Sequence, residues 1–210
     1  HRVVPVKHCL IEDERADRVI QAIVELLPSF KLRIYNEYTH RGFLRHVLIR
    51  TGQYTGEMLV VLVATSLEFP GRRAFVEALR AKCPEITSLV LNLNDRQTSQ
   101  VLGKKETVLF GPGYLEDELC GKRFRISPQS FYQVNAQQAE RLYETAIRLA
   151  NFTGKESLLD AYCGTGTIGL CAAAHVKHLT GVELNPDAVR DAKENASSKR
   201  CSVRMIVVPS

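Results

Sequence analysis

The stretch Ser157-Leu-Leu-Asp160-Ala-Tyr-Cys-Gly164-Thr-Gly166-Thr-Ile-Gly169 constrains this chain more than any other. Leu158 and Leu159 predict a short buried strand ending at Asp160, and the apolar run from Ile168 to Ala174 predicts a helix. Between them lies a Gly-x-Gly-x-x-Gly turn. Strand, glycine turn and helix together make a nucleotide-binding geometry. Glycine lets the backbone approach a ligand, and the first N–H groups of the helix are free to meet it. Several ligand classes use this arrangement, and Asp160 narrows the choice. A carboxylate at the strand tip can accept from an amino group, and it repels a pyrophosphate passing the same point. S-adenosylmethionine carries an ammonium and a sulfonium and no phosphate, so it suits the site better than NAD does.

A second strand, His178-Leu-Thr-Gly-Val-Glu183, ends in an acidic residue seventeen positions after Gly166. A carboxylate there can hold both hydroxyls of a cofactor ribose. Asn185-Pro186-Asp187 predicts the next helix start, with Asn185 as its cap and Pro186 in its first turn.

The chain has 210 residues, enough for one large or two small domains with a real core. Its 45% apolar and 24% charged residues are those of an ordinary soluble protein, and no apolar run approaches bilayer length. A net charge of +5 fits an RNA partner without requiring one. Six scattered cysteines without a Cys-x-x-Cys predict free thiols in a reducing cytoplasmic setting and indicate no zinc site. The opening His-Arg-Val-Val-Pro is neither a signal peptide nor a methionine start, which suggests a fragment or a processed chain.

Along the chain, periodicity predicts a helix over Cys9–Leu27, with Ile11, Val19, Ile20, Ile23, Val24, Leu26 and Leu27 apolar, stopped by Pro28. A hairpin follows, with strands over 42–50 and 57–65, then a helix over 70–82 and a strand over 86–93. From Gly103 to Arg125 short strands alternate with glycine turns. Ser127-Pro128 marks a boundary, so the expected division is a small α+β domain over residues 1–126 and a second domain over 127–210. Residues 137–150 read as a helix leading to the central strand. Arg41, Arg45, His46 and Arg50, and separately Lys122, Arg123 and Arg125, form two basic clusters that could follow an RNA backbone or simply be solvated.

At Ser127-Pro-Gln-Ser-Phe131-Tyr-Gln133-Val-Asn135, followed by Gln138-Ala-Glu-Arg-Leu-Tyr143, the chain becomes specific. Joined to Asp160-Ala-Tyr-Cys-Gly-Thr-Gly166 and Gly181-Val-Glu183, this segment resembles the bacterial uracil-5 RNA methyltransferases of the 5-methyluridine class. It looks closest to those acting on 23S ribosomal RNA. The Gly42-Phe-Leu-Arg45-His46 segment resembles the central domain of that family, and the likeness fades after about Ser198.

The resemblance implies an α/β fold: a class I S-adenosylmethionine-dependent, Rossmann-like domain, incomplete here, preceded by the α+β central domain. It implies that Gln133, Tyr162 and Glu183 contact the cofactor, with Thr167 also at a family binding position beside Asp160, Gly164 and Gly166. A side-chain amide such as that of Gln133 can donate and accept at the cofactor's polar end. Cys163 is tempting as a nucleophile because of its place in the loop. In the family that cysteine has no such role, and a small residue packed under the cofactor is the expected reading. The implied chemistry is attack of a cysteine thiolate on C6 of a flipped-out uracil, methylation at C5 and loss of the C5 proton. The nucleophile and base are expected outside this chain. With them would lie the strands that cover the open edge of the Leu158–Asp160 strand, so the complete protein is expected to continue beyond Ser210 or to be covered by a partner.

Some family members hold a four-iron, four-sulfur cluster whose last cysteine lies in a segment like Val6-Lys-His-Cys9. Cys9 is therefore the candidate metal ligand, and an oligonucleotide-binding barrel is expected before His1. Two alternatives remain open within this reading: a non-catalytic RNA- or cofactor-binding module, and the transfer-RNA-specific member of the same class. An NAD-linked α/β enzyme is disfavoured by Asp160 and by the Gln133 element.

Overall fold

A computed structural model describes residues 8–197 and 202–207. The segments 1–7, 198–201 and 208–210, which include Val6 and Lys7 of the expected cluster segment, lie outside the described residues. By their internal contacts the residues form two compact units, His1–Thr51 with Gly56–Leu115, and Gly52–Thr55 with Glu116–Ser210.

The first unit opens with α1 (Glu14–Leu26), followed by the hairpin strands β1 (Leu44–Thr51) and β2 (Met58–Ala64). Then come α2 (Arg72–Lys82), β3 (Ser88–Leu93) and β4 (Lys105–Phe110). The four strands make one sheet in the order β1-β2-β3-β4, with the β2–β3 pair parallel and the others antiparallel. Every residue of β2 is buried. That is why it reads as a continuous Val/Leu run rather than an alternating one. Val19, Ile23 and Leu26 of α1 and Phe75 and Leu79 of α2 close over this sheet.

The helix expected from Cys9 begins only at Glu14. Asp13 caps it by accepting from Arg15 N at 2.9 Å, and the same carboxylate takes the Arg15 guanidinium. Ile11, expected on the apolar face, is therefore outside the helix and 95% exposed, while Ile20 and Val24 also face solvent. A second difference concerns Arg45, whose side chain is only 2% exposed. Its guanidinium lies over the Tyr35 ring and donates to the carbonyls of Asn94 and Arg96, so it is structural and does not line a basic surface.

The second unit contains the hairpin β5 (Leu115–Leu119) and β6 (Lys122–Ile126), closed by Cys120 and Gly121 at φ 51° and 66°. Two consecutive positive φ values suit a two-residue hairpin turn. After α3 (Ala136–Ala150) come β7 (Ser157–Asp160), α4 (Thr167–Ala172), β8 (His178–Glu183), α5 (Pro186–Ala196) and β9 (Ser202–Val207). The last three strands form a parallel sheet in the order β7-β8-β9. Asn185 does cap α5, accepting from Asp187 N at 2.9 Å, with Pro186 at the first position. The sequence analysis assigns no element to the segment that holds β9.

Leu158 and Leu159, expected to be buried together, fall on opposite faces because side chains alternate along a strand. Leu158 is half-buried, and Leu159 is 62% exposed. Among the described residues β7 pairs on one side alone.

Two polar side chains one turn apart on the buried face of α5 organise this unit. Asp191, fully buried, accepts from Ser127 N at 2.9 Å and from Ser130 Oγ at 2.7 Å, with the Arg125 guanidinium 3.5 Å away. Asn195 accepts from Arg125 N at 2.7 Å and donates to the carbonyls of Arg125 and Thr165. The end of β6, the turn that starts the Gln133 segment and the glycine loop are thus all tied to one helix. Lys122 and Arg125, expected in a basic surface cluster, are instead engaged here, Lys122 donating to the Cys171 carbonyl. Removing a buried, hydrogen-bonded carboxylate strands its donors. Asp191→Ala is expected to cost about 3 kcal/mol in urea unfolding, with Asp191→Asn retaining part of the loss.

Candidate functional site

Strands β7 and β8 are parallel, with Asp160 opposite Gly181, so their C-terminal ends lie side by side and each presents a carboxylate. Ligands of open parallel sheets bind at such ends. Asp160 Oδ2 accepts from Gly169 N at 3.0 Å, tying the strand tip to α4. Glu183 holds the loop from the other side: Oε2 accepts from Gly164 N at 3.0 Å, and Oε1 from Leu184 N and Asn185 N at 2.8 Å. A carboxylate has about four acceptor positions, so roughly one is left for a ligand hydroxyl. Holding both hydroxyls of a ribose would require one of these N–H groups to let go.

Between the two carboxylates the loop turns through Gly164 at φ 54° and Gly166 at φ 84°, the left-handed region that glycine adopts without strain. Gly181 has a different task. A Cβ there would stand 3.0 Å from Cys163 Sγ and would overlap Met205 Sδ, so its bare backbone makes room for both side chains. Cys163 is 5% exposed, and its thiol is pushed up to about 12, first by burial and then by the charges of Asp160 and Glu183. It is a packed thiol. The loop position alone does not lower its pKa, because the nearest formal charges are negative.

Burial also raises the pKa of Asp160 above the ordinary carboxylate range; the Gly169 and Tyr162 amides pull it down and the Glu183 charge pushes it up. Tyr162 projects into solvent at 93% exposure. Thr167 is half-buried and its hydroxyl lies 3.3 Å from that of Tyr143 on α3. Gln133 is exposed, between buried Tyr132 and the Asn135 cap of α3, which accepts from Gln138 N at 3.1 Å. Phe131 and Val134 flank it with 71% and 92% exposure.

The structure therefore brings Asp160, Gly164, Gly166, Thr167 and Glu183 into one loop bounded by two strand ends. Gln133 is linked to that loop through α5, and the side chains of Gln133 and Tyr162 make no hydrogen bond to it. Sequence reasoning missed Asp191 and Asn195, and quoted Tyr143 in a motif without giving it a role. The available signal was polar residues on the Ala188, Val189 and Ala192 face of α5, where an ordinary helix would be apolar. A cavity of about 510 Å³ in the same unit, lined by Cys120, Lys122, Glu144, Arg148, Cys171 and His175, includes none of these residues. Cys9 belongs to the first unit, its amide donating to Asp17 Oδ2 at 3.1 Å. Among the described residues no group of three or more His, Cys, Asp or Glu side chains could hold a metal ion. No described helix is long and apolar enough to cross a membrane.

The parallel sheet, its glycine loop and the acidic strand ends are those of the Rossmann-like fold of S-adenosylmethionine-dependent methyltransferases. The crystal structure of a Pyrococcus abyssi tRNA (uracil-54, C5)-methyltransferase in complex with S-adenosyl-L-homocysteine matches 99% of this chain and 50% of its own, with a TM-score of 0.79 at 22% identity. A family model described as tRNA (uracil-5-)-methyltransferase matches residues 56–208, and the chain belongs to that family. An uncharacterized RNA methyltransferase of Halalkalibacterium halodurans is 43% identical over 93% of this chain and 43% of its own length. Another from Staphylococcus aureus is 39% identical over 96% of this chain and 45% of its own. The chain thus spans about half the length of the curated relatives it matches.

Two outcomes follow from the electrostatics of the loop. Because the folded pKa of Asp160 is raised, its ionisation opposes folding at neutral pH and has no effect once both states are protonated. Asp160→Asn, which can still accept from Gly169, is expected to raise ligand-free stability at pH 7. That advantage should shrink as pH falls through the carboxylate range, as read by urea denaturation at several pH values. Cys163 in the native protein is expected to resist iodoacetamide at pH 8 and to react after unfolding, as read by peptide mass spectrometry.

Proposed function

We propose that the protein carrying this chain methylates C5 of uracil in RNA, with S-adenosylmethionine as donor and residues 127–210 holding the first half of the cofactor domain. The observation that carries this reading is the pair of carboxylates, Asp160 and Glu183, that bracket a glycine loop through its own N–H groups. Two negative charges at this point disfavour a phosphate-bearing ligand and suit one that brings an ammonium and a ribose. The residues present fit that group. Asp160 would hold the amino group, and its charge, opposed by burial in the free protein, would gain a partner. Glu183 would take a ribose hydroxyl with its remaining lone pair. Gly164 and Gly166 would let the backbone approach, the Gln133 amide would meet the polar end, Tyr162 would offer its ring or hydroxyl, and Thr167 would lie at the border. When bound, the cofactor supplies an electrophilic methyl group.

In this reading the thiolate that adds to C6 of uracil, and the base that removes the C5 proton, would come from outside this chain. Cys163, buried as a thiol, takes neither role. Of the ligands an iron–sulfur cluster needs, Cys9 is the one proposed here, and no step depends on a cluster. Ribosomal RNA, 23S in particular, is the first substrate of this reading. Transfer RNA is the second, favoured by the description of the family.

Calorimetry is expected to show binding of S-adenosylmethionine and none of NAD. Asp160→Ala and Glu183→Ala should each weaken binding at least about tenfold, or roughly 1.4 kcal/mol. NAD binding without S-adenosylmethionine binding would overturn the reading. With the full-length protein, labelled methyl should appear as 5-methyluridine in 23S or transfer RNA transcripts, whichever is the substrate. Cofactor binding with no transfer to either would leave a binding module.

A further inference from the structure

Helix α2 carries unfavourable charge in its first turn, although Arg80 and Lys82 suit its last. Arg72 and Arg73 occupy its first turn, which contains no acidic residue, although the helix macrodipole there favours anions. The cap residue, Gly71, offers no side chain to the free N–H groups. Both arginines are exposed, and neither forms an ion pair among the described residues. Local rules broken without local compensation point to a use elsewhere.

The surroundings supply one. The face of α2 bearing Arg72, Arg73 and Arg80 lines, together with residues 107–110 of β4, a groove of about 360 Å³. Its walls include Val76 and Val108, the latter 48% exposed. The Arg80 guanidinium lies 3.5 Å from the centre of the Phe110 ring, and its Nε is buried without a hydrogen-bond partner. Strand β4 is the edge of its sheet. Three arginines against the one acid of the groove, Glu77, leave it cationic.

A positive rim beside a stacked guanidinium–aromatic plane has the chemistry of a single-stranded nucleic acid site: phosphates meet the arginines and bases stack on the plane. An acidic peptide would pair with the arginines but would gain nothing from the plane. Of the cations that the sequence first offered, Arg45, Lys122 and Arg125 are engaged inside the two units.

We propose that the groove between α2 and β4 binds a single-stranded segment of the RNA substrate through Arg72 and Arg73 on the phosphates and the Arg80–Phe110 plane under a base. This rests on the reading that the protein acts on RNA, and adds where part of that RNA is held.

The test is fluorescence anisotropy of the full-length protein with a labelled oligouridine, across a salt series. The double variant Arg72→Glu/Arg73→Glu is expected to bind at least about tenfold more weakly. Its slope of log affinity against log salt should fall by about 1.4, from two phosphate contacts at about 0.7 each on a single strand. Its melting temperature should stay level or rise, because acids suit that helix end, so weaker binding would not reflect unfolding. Arg80→Lys keeps the charge and removes the plane, and should weaken binding with the salt slope unchanged. Unaltered affinity and slope in both variants would overturn the groove while leaving methyl transfer to RNA, and the functional reading, intact. The same holds if polyglutamate competes as well as oligouridine, which would mark a peptide site. A wild-type protein that neither binds nor methylates RNA would overturn both.

Discussion

A single buried carboxylate sets the geometry on which the second unit depends. Asp191 lies out of water on α5, and a charge in that position needs hydrogen bonds and a counter-charge: both of its hydrogen bonds fall on Oδ2, while Oδ1 faces the Arg125 guanidinium at 3.5 Å. Its partners are the Ser127 amide, the Ser130 hydroxyl and the nearby Arg125 guanidinium. One turn later, Asn195 holds the backbone of Arg125 and the carbonyl of Thr165. These bonds have direction, unlike the apolar contacts around them, so they fix where the Gln133 segment departs and where the glycine loop sits. An apolar α5 would pack as well and position less.

The loop itself is balanced between like charges. Asp160 and Glu183 come from neighbouring parallel strands, and their repulsion is offset by four backbone N–H groups aimed at them. That balance is incomplete at Asp160, where burial still disfavours the charged form. A cation arriving beside it would relieve the imbalance, and an anion would deepen it. Burial first, and after it the same field, holds Cys163 as a thiol, since a thiolate would add a third negative charge to a buried spot.

The arginines divide by what surrounds them. Arg45 satisfies carbonyls and covers a tyrosine ring; Arg125 faces a buried carboxylate. Such residues are spent on structure, whatever their spacing in the sequence. Arg72 and Arg73 sit where their charge is unfavourable to their own helix, with open solvent before them. Position in the fold, not local density of basic residues, separates the two kinds.

The Gly-x-Gly-x-x-Gly turn, the two acidic strand ends and the Asn185 cap were legible in the sequence because each rests on local chemistry. Glycine conformations, strand length and capping depend on a few neighbouring residues, and so the β7–α4–β8–α5 order followed from the text. The start of α1 could have been read as well, since Asp13 is a cap residue, but the apolar run through Ile11 masked it. What only the tertiary structure decided were relations between distant segments: Asp191 with Ser127, Asn195 with Thr165, Arg45 with Asn94, and Arg80 with Phe110. A side chain's charge and size are written in the sequence. Its burial, and therefore whether that charge is paired, shifted or free to bind, is set by what the folded chain brings against it.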